Sequence, residues 1–169
     1  MPGTGPPNES LAKTGGCSRC WLTSIAGYRS LSAGAFPEEF PAPADIIQNH
    51  ADALGIALRT ARFHVLHRDS LEAVVYRPRH HAYYRGADPV GQAAVLCEGL
   101  AREHCFVDGN KRTAWLALRT YLAVKAGIEV EADAAEAADW MLRLTMGDRS
   151  ASELAAWIRK HLRPAKGRF

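Results

Sequence analysis

What the chain lacks narrows its chemistry before any motif is read. No apolar run approaches the roughly 18 residues that cross a bilayer, so no membrane partner is expected. The first residues lack the charged-then-apolar pattern of a secretory leader, and the expected location is cytoplasmic. The balance of 21 basic against 18 acidic residues leaves a formal charge of +3. That is too mild to argue for direct nucleic-acid binding, which leaves a denser basic patch. Cysteines number only 4: Cys17, Cys20, Cys97 and Cys105. Cys17-x-x-Cys20 is half of a zinc knuckle or a redox pair, and the other half is missing at any recognised spacing. Free thiols are expected, with Cys97 and Cys105 read as small buried hydrophobes in or beside an apolar stretch. His80 and His81 give no metal site, because adjacent side chains point apart on most backbones. No internal repeat and no convincing strand pair is visible.

What is present reads as helices. A chain of 169 residues with 47% apolar content suits one domain plus a tail and needs no staples. Residues 1–43 form an N-terminal extension. Its first 16 positions are rich in Gly, Pro and Ser/Thr and are expected to be disordered, and Pro37, Pro41 and Pro43 mark a linker. Residues 44–164 form the domain, and 165–169 a tail. Ile46, Ile47, His50 and Leu54 share one helical face, with Gly55 just beyond. Residues 56–67 are ambiguous between helix and extended chain. Asp69 or Ser70 caps a short helix carrying Leu71, Val74 and Val75 inward, which Pro78 is expected to end. Residues 79–87 then read as a loop or short hairpin. Asp88-Pro89 starts the most apolar helix, expected at 89–103 as the buried centre of the fold. A helix over 110–126 follows, closed by Gly127. Asp133 opens another that ends at Gly147. The capping box Ser150-Ala-Ser-Glu153 opens a last one, with Leu154, Trp157, Ile158 and Leu162 on one stripe. The fold class is all-α, an orthogonal bundle around the central helix with room for a small flap hairpin.

One local conflict points to chemistry. Asp108, Gly109 and Asn110 turn the chain directly into the helix at 110–126, whose start has unpaired N–H groups and a partial positive charge. Lys111 and Arg112 sit in its first turn, where cations are unfavourable. An anion at that helix start resolves the conflict. Phosphate fits, with Arg112 as a fork and Lys111 as a point charge. Gly109, lacking a Cβ, lets the backbone approach it. Asp108 beside phosphate suits magnesium, which is commonly held by one or two carboxylates plus phosphate oxygens. His104 can take a proton from an attacking hydroxyl near neutral pH. Phe106 is expected to plug into the core and hold the turn rigid.

The run His104-Cys105-Phe106-Val107-Asp108-Gly109-Asn110-Lys111-Arg112-Thr113-Ala114 resembles the signature of the Fic/Doc superfamily, and within it the Doc (death-on-curing) branch. The wider pattern is H-x-F-x-[D/E]-G-N-G-R-x-x-R. His104, Phe106, Asp108, Gly109, Asn110 and Arg112 match it. Lys111 stands where the pattern has its second glycine, and Trp115 where it has its last arginine. Lysine followed by Arg-Thr-Ala is similar to Doc toxins. The likeness extends from about Arg68 to Leu162.

The resemblance implies an enzyme that uses ATP as substrate with Mg2+. His104 would be the general base, Asp108 the magnesium ligand, and Gly109, Asn110, Lys111 and Arg112 the nucleotide phosphate site. Doc toxins phosphorylate a threonine of elongation factor Tu, stop translation, and are neutralised by a small antitoxin, Phd. Fic proteins with the glycine and final arginine usually transfer AMP instead. Filling the glycine position and removing the arginine alters which phosphate meets the attacking hydroxyl, which favours γ-phosphoryl transfer. AMP transfer to a protein is the alternative. A non-catalytic module that binds only nucleotide or a partner is the second. Residues 79–85, with Arg79, His80 and Tyr83, are expected to be the flap that holds a target peptide in this fold. Self-inhibition in Fic proteins uses an [S/T]-x-x-x-E-[G/N] helix. Glu98-Gly99 has Ala94 where that motif needs Ser or Thr, so inhibition by a partner is expected.

Overall fold

The computed structural model describes residues 41–165. The expected disorder of the N-terminal extension, the Cys17–Cys20 thiols and the start of the linker lie on residues 1–40, outside the described residues. At its other end Pro41 is buried and Pro43 is already the first residue of a helix, so the domain begins before residue 44. Three helices of the domain are defined by their ends as much as by their faces. α1, Pro43–Leu54, begins with proline and ends at Gly55, which is left-handed at φ 65°. α2, Leu58–Phe63, is a short turn of helix. α3, Arg68–Arg85, runs for 18 residues to a left-handed Gly86.

α3 overturns three expectations. It starts at Arg68 after His67, which makes no side-chain cap, so neither Asp69 nor Ser70 caps it, and two more concern its far end. Pro78 does not end it, and residues 79–85 are helical, so no flap hairpin forms there. Proline inside a helix costs about 3 kcal/mol, and packing offsets it. Leu71, Val74, Val75 and Pro78 itself are all buried. A Cβ on Gly99 of the next helix would lie 2.8 Å from Val74 Cγ1, so the two helices approach as closely as a glycine allows. Arg77 adds an ion pair to Glu103 across the same interface.

α4, Pro89–Arg102, is the centre. Asp88 caps it through the Gly91 amide, and nine of its residues are buried, from Val90 to Ala101. Burial on nearly every side is what a helix this apolar requires. α5, Asn110–Ala126, lies along it and buries Thr113 to Leu118 almost without a break. α6, Ala134–Met146, starts on the Asp133 side chain and ends at Gly147. α7, Ala151–Arg159, starts on the Ser150–Glu153 capping box. α3, α5, α6 and α7 surround α4, while α1 packs on α5 and α2 packs on α1. The result is an all-α fold around one apolar core.

One small sheet was not foreseen. β1, Ile128–Val130, pairs antiparallel with β2, Leu162–Pro164. Leu162 therefore leaves the helical stripe and faces Val130 instead. Three residues per strand carry no readable alternation. Their pairing is fixed by tertiary contacts: the Glu131 amide donates to His161 at 2.9 Å, and Arg163 pairs with Glu131 at 2.6 Å. The ambiguous stretch 56–67 resolves into α2 and a single bridge between Val65 and Phe106. No helix among the described residues is long and apolar enough to cross a membrane.

Candidate active site

The turn between α4 and α5 is built by four local devices. His104 reverses the chain at φ 46°, the one non-glycine residue with positive φ among those described. Cys105 and Phe106 then dive into the core, 0% and 1% exposed. Asn110 reaches back and pairs with both peptide groups of Phe106. Its Nδ2 donates to the Phe106 carbonyl at 2.8 Å, and its Oδ1 accepts from the Phe106 amide at 3.0 Å. Gly109 takes up φ 73° at the N-cap of α5. A Cβ there would also meet Leu54 Cδ2 at 2.8 Å, so both conformation and space require glycine.

A second strip of chain braces the turn from outside. The Leu66 amide donates to the Cys105 carbonyl at 2.8 Å, and the Val107 amide donates to the His64 carbonyl at 2.8 Å. In this antiparallel bridge the N–H and C=O of Val65 point away from Phe106. They make no backbone hydrogen bond among the described residues.

These devices leave a consistent set of groups in the open. His104, Val107, Asp108, Lys111 and Arg112 are exposed. Lys111 and Arg112 form no ion pair among the described residues, and no side chain caps the start of α5. Asp108 spends one carboxylate oxygen on the Gly109 amide at 2.6 Å. Its other oxygen is free for a ligand. No group of three metal-ligating side chains occurs among the described residues. The one free Asp108 oxygen suits a site in which phosphate oxygens and water supply most of the ligands, as magnesium takes them.

The sequence-predicted residues divide into two places. His104, Asp108, Gly109, Lys111 and Arg112 come together on the turn. The Asn110 side chain is committed to shaping that turn, which leaves only its backbone N–H at the helix start to face a phosphate. Arg79, His80 and Tyr83 lie elsewhere. They are exposed positions of α3, and His80 lines a groove of about 960 Å³ with Asp88, Gly91, Val95 and Arg159. That groove runs along α4 from Asp88 to Glu98, a helix whose 14 residues span about 21 Å. His104 follows its C-terminal end.

Two residues outside the motif, His50 and His64, line the underside of the turn together with Thr113. His50 is 0% exposed. Its Nδ1 lies 2.8 Å from Thr113 Oγ1 and its Nε2 lies 3.1 Å from His64 Nδ1. Burial and the neighbouring His64 push its pKa down from 6.5 to about 4, against a smaller opposing pull from Asp108. A histidine on the apolar face of α1 was the one sequence signal for this arrangement. Trp115, where the superfamily pattern has arginine, is buried at 7% exposure with its ring centre 6.2 Å from that of Trp157. Both described cysteines are buried and free. Burial pushes the Cys105 thiol up to about 11, which makes it unreactive despite its place beside His104.

Comparison with known proteins agrees with this geometry. The model of the Fic/DOC family matches residues 39–122, which takes in the turn and the helices on both sides. A protein named toxin Doc from Mycolicibacterium smegmatis is 46% identical over 65 residues, 37% of this chain and 49% of that protein. The chain thus spans about half the length of this curated relative.

Proposed function

We propose, from the premise that this chain belongs to the Fic/Doc family and to its Doc branch, that the turn transfers the γ-phosphate of ATP to a Ser or Thr hydroxyl of another protein. The observation that carries the proposal is the open start of α5. An uncapped helix N-terminus, two cations without an ion-pair partner among the described residues, a half-free carboxylate and an exposed histidine converge there. Each is costly or useless alone, and a nucleotide phosphate answers all of them.

In this reading the first amides of α5 and the Lys111 and Arg112 side chains hold the phosphates. His104 accepts the proton of the target hydroxyl as its oxygen attacks the γ-phosphorus. The bond from that phosphorus to the bridging oxygen breaks, and ADP leaves. Magnesium held by Asp108 would supply charge neutralisation on the phosphate oxygens. Buried Trp115 places no guanidinium on the ligand face, which leaves one phosphate contact fewer than the AMP-transferring pattern has. The target chain would lie along residues 64–67, because the open peptide groups of Val65 can pair with an extended segment. This strip replaces 79–85 as the proposed flap. The target is proposed to be a translation factor such as elongation factor Tu, and the silencing partner a small Phd-like antitoxin.

Incubation with a cell extract and ATP labelled at the α- or γ-phosphate tests the proposal. Protein-bound label from γ alone is expected. Label retained from the α-position would replace phosphorylation by AMP transfer. Expression of His104→Ala that remains as toxic as the unmodified chain would remove catalysis from the explanation.

A further inference from the structure

With His50 neutral, as its lowered pKa requires near neutral pH, only one set of directions makes every contact beneath the turn a hydrogen bond. The Gly109 carbonyl can only accept. Thr113 Oγ1, at 3.0 Å, therefore gives it its single proton. The same hydroxyl lies 2.8 Å from His50 Nδ1 and must accept there, so Nδ1 carries a proton. A neutral imidazole has one N–H, which leaves Nε2 of His50 as a lone pair. His64 Nδ1, at 3.1 Å, must then donate into it. The chain of donors runs from His64 through His50 and Thr113 to the carbonyl of the residue that opens α5. The face of the His50 ring stacks on Phe106, with ring centres 4.0 Å apart and planes 7° from parallel. His64 also holds Val107 through its own carbonyl.

We propose that His50 is a positioning residue for the phosphate-binding turn: its neutral ring, protonated on Nδ1, orients the Gly109 carbonyl through Thr113 and seats the Phe106 plug, with His64 as the external donor. This rests on the phosphoryl-transfer reading for its effect on rate, but not for the hydrogen-bond directions. The groups with titratable charge that face His50 are His64 and Asp108. Both sit on the turn or its brace, so the ring is placed to hold the turn in one geometry without carrying charge itself. The motif names the residues that touch substrate. His50, more than fifty positions upstream, sets the shape in which they do so.

Nitrogen-detected NMR of the full-length chain tests the directions. The expected spectrum has His50 protonated on Nδ1 alone, unchanged between pH 8 and about pH 5. Protonation on Nε2, or gain of a second proton near neutral pH, would overturn the proposal. Variants test the consequence. His50→Gln loses the donor to Thr113, Thr113→Val loses the acceptor, and His50→Asn keeps a donor at the Nδ1 position. His50→Gln and Thr113→Val are expected to lower kcat by about ten- to a hundredfold with the KM for ATP changed less than about threefold. The double variant is expected to be no worse than the poorer single, and His50→Asn to recover part of the rate. Folded variants with unaltered kcat would overturn it. If the unmodified chain transfers nothing from ATP, the proposed function fails, and the NMR spectrum still decides the role of His50 in the turn.

Discussion

Asn110→Ala separates shaping the turn from binding phosphate. The side chain makes two hydrogen bonds, at 2.8 and 3.0 Å, to the carbonyl and amide of Phe106. Alanine leaves both peptide groups without a partner next to a ring that is 1% exposed. An unsatisfied buried polar group costs about 1–3 kcal/mol, and partial access to water at the turn keeps each near the lower end, so the expected loss is about 2–4 kcal/mol. Asn110→Asp keeps the acceptor and loses the donor. It is expected to lose about half as much, with oxygen facing oxygen at the Phe106 carbonyl. Urea unfolding of the full chain, followed by tryptophan fluorescence, reads both values. An unchanged unfolding midpoint with a raised KM for ATP would refute the reasoning and return the side chain to the phosphate.

Gly109→Ala is expected to cost about 1–2 kcal/mol from the left-handed backbone alone. Leu54→Ala beside it should relieve only the crowding part, as urea midpoints of the single and double variants would show. The His50 pKa of about 4, against 6.5 when unfolded, means the unfolded chain binds more protons between those values. The stability His50 contributes is thus fully present above pH 6.5 and is lost as pH falls towards 4. At pH 5 the loss is about 2 kcal/mol, and His50→Gln should flatten that part of a stability–pH curve. Trp115→Arg is expected to cost about 3 kcal/mol or more by burying an unpaired charge. A variant that kept its unfolding midpoint and began to transfer AMP would contradict this.

Local chemistry made much of this protein legible from its sequence. Asp88-Pro89, Asp133, the Ser150–Glu153 box and the glycines at 55, 127 and 147 act within a turn of helix, so the helix ends they mark could be read directly. The apolar surplus of α4 identified the centre because a helix without a polar face has nowhere else to go. The groups of the turn could also be read, since a cation pair at a helix start is a conflict visible in the chain itself. Tertiary structure decided the rest, wherever a partner distant in sequence outweighed a local preference. Pro78 is a helix breaker on its own, yet Gly99 lets α4 approach closely enough for packing to carry α3 through it, and this removes the flap from 79–85. The brace at 64–67 has no signal of its own, because a single bridge to Phe106 needs no alternating pattern. Asn110 looked like a phosphate ligand by position, and only the placement of Phe106 shows its amide already engaged. His50 was visible as a histidine on an apolar face. That it underlies the turn depends on α1 meeting α5 and the chain at 64, contacts between segments far apart in sequence.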